Sequence, residues 1–444
     1  MSNTEYSDEV LEVASEAGHI LLENGAEISR VEDTMERISS HYGVNSGHFF
    51  VLSNGIFTTS SASKYANVEF IPLRGIQLSK VVAVNRLSFD IAAGKHDLAE
   101  AHKKLNEIRD APAKPAWEQI LGSAAGACGF CAVFGGGFMD CAAALVVGMF
   151  LYIYCLTFSS RYLSKIVGGI SNALVATLLC LAAYRMGFGT SLSNIIIGAI
   201  MPLIPGVPFV NGVRDLADSD YIAGITRLTD AMLGFFCIAL GVGTSFMLDG
   251  WLFDGIINLS GVIVNPETAG FGWQSLAAFI GTAAFAILFG VPRAQYLAAG
   301  IIGAAGWAFY LILIMLGVSI PVVAITLSTI LICIMSRKTA VWDKCPSTVY
   351  LLCGIFPLVP GAGLFWFTYY LVSGQLKLSA NTGLTAVSAA IAIVLGIILA
   401  MELPQRLFSP KRRRRYVAFH ISTSSRGPDG DLRRRSGLSR FCTR

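Results

Sequence analysis

The stretch that decides the fold is "PLIPG", Pro202 to Gly206, set in the apolar run that begins at Ile195. Two prolines within four residues break a helix, because each lacks a backbone donor and its ring clashes with the preceding turn. The motif returns as "PLVPG", Pro357 to Gly361, 155 residues on. A chain that keeps a helix-breaker twice in strongly apolar surroundings is using it.

Working outward, the surroundings are those of a membrane. Of 444 residues, 54% are hydrophobic and 14% charged, and the mean hydropathy is +0.61. A soluble domain cannot bury so much apolar surface. Between Trp117 and Met401 the apolar residues fall in runs of about 17–23, the length a helix needs to cross a bilayer. Spans are expected near 117–135, 138–158, 165–184, 189–205 and 228–248, then near 274–290, 294–316, 319–335, 346–360 and 382–401. With a cytoplasmic start, the inner loops hold Arg161, Lys165, Arg214, Arg227, Arg293, Arg337, Lys338 and Lys344, and the outer loops only Arg185 and Lys377. That bias is the positive-inside pattern, and it places the chain in the cell membrane.

The constant offset extends beyond the proline motifs. Gly126 matches Gly281, Phe134-Gly135 matches Phe289-Gly290, Gly148 matches Gly303, and Gly241 matches Gly396. Each unit holds five spans, an odd number, so the second is expected upside down relative to the first. The fold class read from this is a multi-pass α-helical membrane protein of ten transmembrane helices in two inverted five-helix repeats. Inverted repeats with interrupted helices at matching places mark alternating-access transporters. Duplication for helix contact alone is the other reading.

Residues 1–114 are expected to form a small soluble α/β domain, followed by repeat 1 over 115–270 and repeat 2 over 271–409. Val10, Ala14, Ala17 and Leu21 mark one face of a helix stopping at Asn24-Gly25. Ile28, Val31, Met35, Ile38 and Tyr42 mark a second, stopping at Gly43, with Ser29 and Glu32 as a capping box unless Ala26 and Glu27 belong to the helix. "FFVLSNGIFTTSS" reads as a hairpin turning at Asn54-Gly55, Val68–Leu73 as a strand, and Ser79–Ala92 and Asp97–Arg109 as helices. Glu23, Glu27, Arg30, Glu32 and Asp33 give this domain a charged helix surface, which a solvated face explains as well as a functional one. The acidic, amphipathic first 20 residues lack the apolar core of a cleavable signal peptide.

The charge is uneven. Residues 1–116 carry 11 Lys/Arg against 16 Asp/Glu, residues 117–409 carry 11 against 11, and residues 410–444 carry 11 against 2. The net +4 is thus a property of the tail, which is expected to be disordered, and it implies no nucleic-acid partner. Ten cysteines show no disulfide spacing, and Cys128-x-x-Cys131 lacks the second pair a metal site needs. All six histidines lie outside the spans, and HExxH, G-x-S-x-G and GxxxxGK[ST] are missing, so no cofactor, intramembrane zinc site or ATP-driven step is expected.

Carbonyls released at Pro202, Pro205, Pro357 and Pro360 must be satisfied by protein, water or ligand, so the two breaks, with Gly206 and Gly361, are expected to line one cavity. Beyond the first break, Asn211, Asp215 and Asp218 share a helix face. Arg214 is placed to reach Asp218, and Arg227 to reach Asp230. The alternative is a solvated loop with ordinary surface pairs. The matching arm of the second unit is aromatic, with Trp366, Tyr369 and Tyr370. A site between the arms suits a small zwitterion or acid. Asp140, an isolated carboxylate, is a candidate proton carrier. Asn172 is a candidate substrate ligand or an ordinary interhelical hydrogen bond.

"ENGAEISRVEDTMERI" (Glu23–Ile38), "RLSFDIAAGKHDL" (Arg86–Leu98), "PLIPGVPFVNGVRDL" (Pro202–Leu216) and "PLVPGAG" (Pro357–Gly363) resemble the threonine/serine exporter family over roughly residues 8–405. The resemblance implies a cytoplasmic N-terminal domain joined to ten membrane helices, and export of small amino acids driven by the proton motive force. Some relatives split the membrane parts into two proteins linked to dicarboxylate export, so a succinate-like substrate is the rival within transport. A membrane sensor with a cytoplasmic output domain is the rival outside it. The N-terminal domain itself reads equally as a regulator, a substrate-gathering vestibule or a hydrolase remnant.

Overall fold

In the computed structural model the described residues are 3–61, 65–72, 75–253, 257, 270–318, 320–404, 407 and 408. Residues up to Leu403 form one compact unit. Pro404–Arg444 is a second unit, and the basic tail over 410–444 lies outside the described residues.

The N-terminal part begins with α1 (Asn3–Glu23) and α2 (Ile28–His41). Val10, Ala14, Ala17 and Leu21 are buried as their spacing predicts, and α1 stops where Gly25 takes φ +88°. On α2, Ile28, Val31, Met35 and Ile38 face inward, and Gly43 at φ +82° lies just past its end. The expected capping box does not form. The N-cap is Glu27, Ser29 is already the second residue of the helix, and Glu32 instead accepts the Val51 N–H at 3.2 Å. A three-stranded antiparallel sheet follows, with β1 (Gly47–Leu52), β2 (Gly55–Ser60) and β3 (Ala66–Phe70) in the order β1-β2-β3. Leu52 pairs with Gly55, so the hairpin turns at Ser53-Asn54, one residue earlier than expected. Helices α3 (Leu78–Ala92) and α4 (Leu98–Asp110) complete this part.

The apolar part runs α5 (Ala116–Val133), α6 (Phe138–Tyr154, prolonged by a π-turn), α7 (Ser160–Tyr162), α8 (Lys165–Arg185), α9 (Leu192–Ile200), α10 (Gly206–Ala217) and α11 (Tyr221–Leu252). Then come α12 (Phe271–Leu288), α13 (Tyr296–Met315), α14 (Pro321–Asp343), α15 (Ser347–Gly354), α16 (Gly361–Val372) and α17 (Leu376–Met401). Among the described residues seven helices are long and apolar enough to cross a membrane. The count is nine if each bent pair is one span. This is a multi-pass helical membrane protein.

Helix resumes after each break, so α9–α10 and α15–α16 are bent pairs, turned by 58° and 42°. Helix thus runs beyond the expected spans 189–205 and 346–360, to Ala217 and Val372. In each pair a 3₁₀ turn, Met201–Leu203 or Phe356–Leu358, carries the first proline. The second proline caps the next helix at nearly the same dihedrals: φ −77°, ψ 55° for Pro205 and φ −75°, ψ 51° for Pro360. A ψ near 50° leaves the helical basin, so the ladder stops, and the glycine that follows restarts it.

The glycines matched at the 155-residue offset mark helix crossings, and they cross in kind. A Cβ on Gly126 would stand 2.6 Å from the Phe285 ring, and one on Gly281 would stand 3.1 Å from the Phe130 ring. Gly148 abuts Ala127 while Gly303 abuts Thr282. Gly241 meets α8 at Ala173, and Gly396 meets α14 at Thr329. Removing the side chain lets two backbones approach, which is how membrane helices gain contact when lipid is as apolar as they are. A Cβ on Gly206 would stand 2.6 Å from the Phe356 ring, and one on Gly361 2.7 Å from the Met201 sulfur, so each break packs against the other. Phe356, Met201 and Ile204 are buried at this crossing.

Candidate functional site

The polar text after the first break is helix, not loop, and it ends at one face of the molecule. The α1–α2 elbow, Asn24–Ile28, inserts beside it. The Gly25 carbonyl accepts from Asn211 Nδ2 at 2.8 Å, and a Cβ on Gly25 would stand 3.9 Å from Val207, one residue past the break. The Ala26 carbonyl accepts from Arg227 Nη2 at 2.9 Å. The Ile28 N–H, first in α2, donates to Asp215 Oδ1 at 3.1 Å, so a carboxylate from a distant helix caps α2 where its own sequence supplies none. Ser29 Oγ donates to Asp218 Oδ2 at 3.0 Å.

Two buried charge pairs hold the arrangement. Arg227 and Asp215, 4% and 0% exposed, pair at 2.9 Å. Glu27, 1% exposed, takes Arg30 Nε at 2.8 Å, Arg214 Nη2 at 3.4 Å and the Thr348 hydroxyl. Arg214 Nη1 also donates to Thr348 Oγ1 at 2.6 Å. Thr348 opens α15, so Glu27 ties the elbow to both halves of the apolar part. Burial alone pushes the Glu27 carboxyl up, but Arg214 and Arg30, with the Thr348 hydroxyl, overcome it and bring it down to about 2.

The pairings differ from those expected along one helix. Arg214 turns to Glu27 and Thr348 rather than to Asp218. Arg227 pairs with Asp215, leaving Asp230 to Lys165. A buried cation needs a buried anion, which outranks a surface contact at spacing three or four. Glu27, expected on a solvated face, is the least exposed of that helix's charges.

The two arms do not face one site. Asp215 and Arg227 stand at the elbow end of α11. Tyr369 packs on Phe246 near the other end, 5.3 Å between ring centres, and its hydroxyl donates to the Ile257 carbonyl at 3.1 Å. Trp366 stacks on Tyr370 at 5.4 Å. Because the second break is followed by a helix running the other way along the bundle, its aromatic arm reaches the opposite end. Asp140, also at that far end, accepts the N–H groups of Gly137, Thr190 and Ser191 at 2.9, 2.6 and 2.9 Å. So many donors make it a latch joining the start of α6 to the loop before α9, rather than an open acid. Arg185 and Asp249 form a second latch there, through bonds of 2.9 and 2.8 Å. Asn172 lies within α8, its Oδ1 buried without a hydrogen-bond partner.

Thr348 and the role of Glu27 escape sequence reading. The contacts span 321 and 187 residues, and no spacing rule reaches that far. The one hint is that Glu27 sits between apolar Ala26 and Ile28.

An apolar bundle with paired broken helices and a charged cluster at one end defines a membrane transporter. The putative threonine/serine exporter family model matches residues 12–249, and a second threonine/serine exporter model matches residues 274–402. The chain therefore belongs to the threonine/serine exporter family. A threonine/serine exporter of Corynebacterium glutamicum is 25% identical over 92% of this chain and 85% of its own. A probable threonine/serine exporter of Mycobacterium tuberculosis is 25% identical over 97% of this chain and 82% of its own. A probable succinate transporter subunit of Klebsiella aerogenes is 23% identical over 52% of this chain and 92% of its own. No solved structure matches the chain significantly.

Proposed function

We propose that this protein is a secondary exporter of small amino acids, threonine and serine above all, driven by the proton motive force across the cell membrane. The observation that carries this is the pair of helix breaks with matching dihedrals, crossing at the centre through reciprocal glycine contacts. On this reading, α5 completes a set of ten spans in two inverted five-helix repeats, and the elbow end is cytoplasmic. The crossing breaks are then a hinge that opens alternately to each side, with Asn211, Arg214, Asp215, Asp218 and Arg227 near the inner mouth and Trp366 and Tyr369 near the outer. The two exporter relatives support threonine and serine as substrates.

The succinate transporter relative favours a second reading, export of a dicarboxylate. Cells loaded with a threonine dipeptide, and separately with succinate, separate the two. Expression of this protein should hasten the exit of threonine, and hastened exit of succinate alone would transfer the assignment to the acid.

A further inference from the structure

We infer that the α1–α2 elbow is a built-in plug that stands in for the substrate at the inward-facing site, an inference that rests on the exporter reading. The groups it engages are those a zwitterionic α-amino acid requires. A carboxylate needs a guanidinium and a hydroxyl, and Arg214 and Thr348 supply both to Glu27. An ammonium needs a carboxylate, and Asp215 Oδ1 instead receives the Ile28 N–H at the positive end of α2. Adjacent elbow residues thus present an anion and a positive helix end to the two halves of one recognition site.

Position supports occupancy as well as chemistry. The elbow bonds successive turns of α10, at Asn211, Asp215 and Asp218, from one turn past the break outward. It is also separable from the other anchorage of the N-terminal part. There, the N–H groups of Leu78 and Ser79 donate to the Phe289 and Gly290 carbonyls at 3.0 and 2.8 Å, a backbone joint that involves no charge. The elbow holds in part by contacts at Arg214, Thr348 and Asp215 that a substrate's own charges can replace. Substrate entering from the elbow side must therefore displace it, and its apparent affinity is reduced by the fraction of molecules in which the elbow is docked.

Two variants test this in liposomes carrying the full chain. Ser29 and Asp218 already touch, so the double variant Ser29→Cys/Asp218→Cys should close a disulfide over the docked elbow. Oxidised, it should lose most of the threonine flux that Asp218→Cys alone retains, and reductant should restore it to that level. Glu27→Gln keeps the shape and the hydrogen-bond acceptor but removes the charge. It should lower the half-saturating threonine concentration on the elbow side by roughly three- to tenfold, as expected when the open fraction rises. A seam that only holds the protein together predicts a half-saturation unchanged or raised. Normal flux in the oxidised double variant, or no fall in half-saturation for Glu27→Gln, overturns the plug while leaving the exporter reading standing. A parent chain that moves no threonine overturns both.

Discussion

At the residue scale, the exporter reading divides the buried charges at the elbow into those that hold structure and those proposed to meet substrate. Arg227 is the main partner of a fully buried Asp215, so Arg227→Ala should leave an uncompensated anion and cost about 3–5 kcal/mol, seen as low membrane abundance and early melting. Arg214 differs, since Glu27 retains Arg30 when it is removed. Arg214→Ala should keep near-normal abundance and lose export. Arg214→Lys should rescue poorly, because one branch of the guanidinium serves Thr348 and the other Glu27, and an ammonium cannot divide itself that way. Full export by Arg214→Ala would remove this residue from the pathway.

Glu32 carries a pH signature. Burial, with Asp220, Glu36 and Asp33 nearby, pushes its carboxyl up to about 7, although the Val51 N–H opposes the shift. The folded value lies above the ordinary one of 4.5, so the fold favours the protonated form. Its stabilising contribution is whole below about pH 4.5 and lost as pH rises through 7. Glu32→Gln, which keeps the acceptor for Val51, should raise the melting temperature at pH 8 and change it little at pH 5. Equal effects at both pH values would contradict the assignment.

At the element scale, the breaks and the matched glycines were legible because proline and glycine act through the backbone, whose rules are local. The helix past the first break was legible from its polar face, but the expected spans still ended at Pro-Gly. Pro205 and Pro360 instead cap new helices that pack in the bundle. Ser29 misled for the opposite reason: a capping pattern is local, but the cap of α2 comes from Asp215, 187 residues away. Pro205→Ala and Pro360→Ala follow from the geometry. Neither proline sits in a helix interior, so each change should move stability by only about 1 kcal/mol, partly through the lost contact between the Pro205 ring and Gly234 on α11. Flux should fall in both, and by similar amounts, since the two bends are equivalent parts of one hinge. Early melting with normal flux per folded molecule would make the motifs devices of helix contact alone. Gly206→Ala and Gly361→Ala should be harsher, because the added methyl meets Phe356 or Met201 at the crossing.

At the scale of the whole molecule, the sequence read as apolar spans preceded by a separate soluble domain, and the structure joins the N-terminal part to the bundle through a buried elbow. Composition reveals which residues avoid water, but not which surface accepts an inserted loop. The charged and aromatic arms were likewise legible as arms, yet not as opposite ends, because that depends on the direction each takes after its break. The central claim, that the crossing breaks are the hinge of an amino-acid exporter, is tested most directly by flux in liposomes holding the purified chain. With a proton gradient imposed, threonine and serine should cross faster than in protein-free vesicles, and collapsing the gradient should slow them. No flux of either amino acid under the gradient would contradict the account.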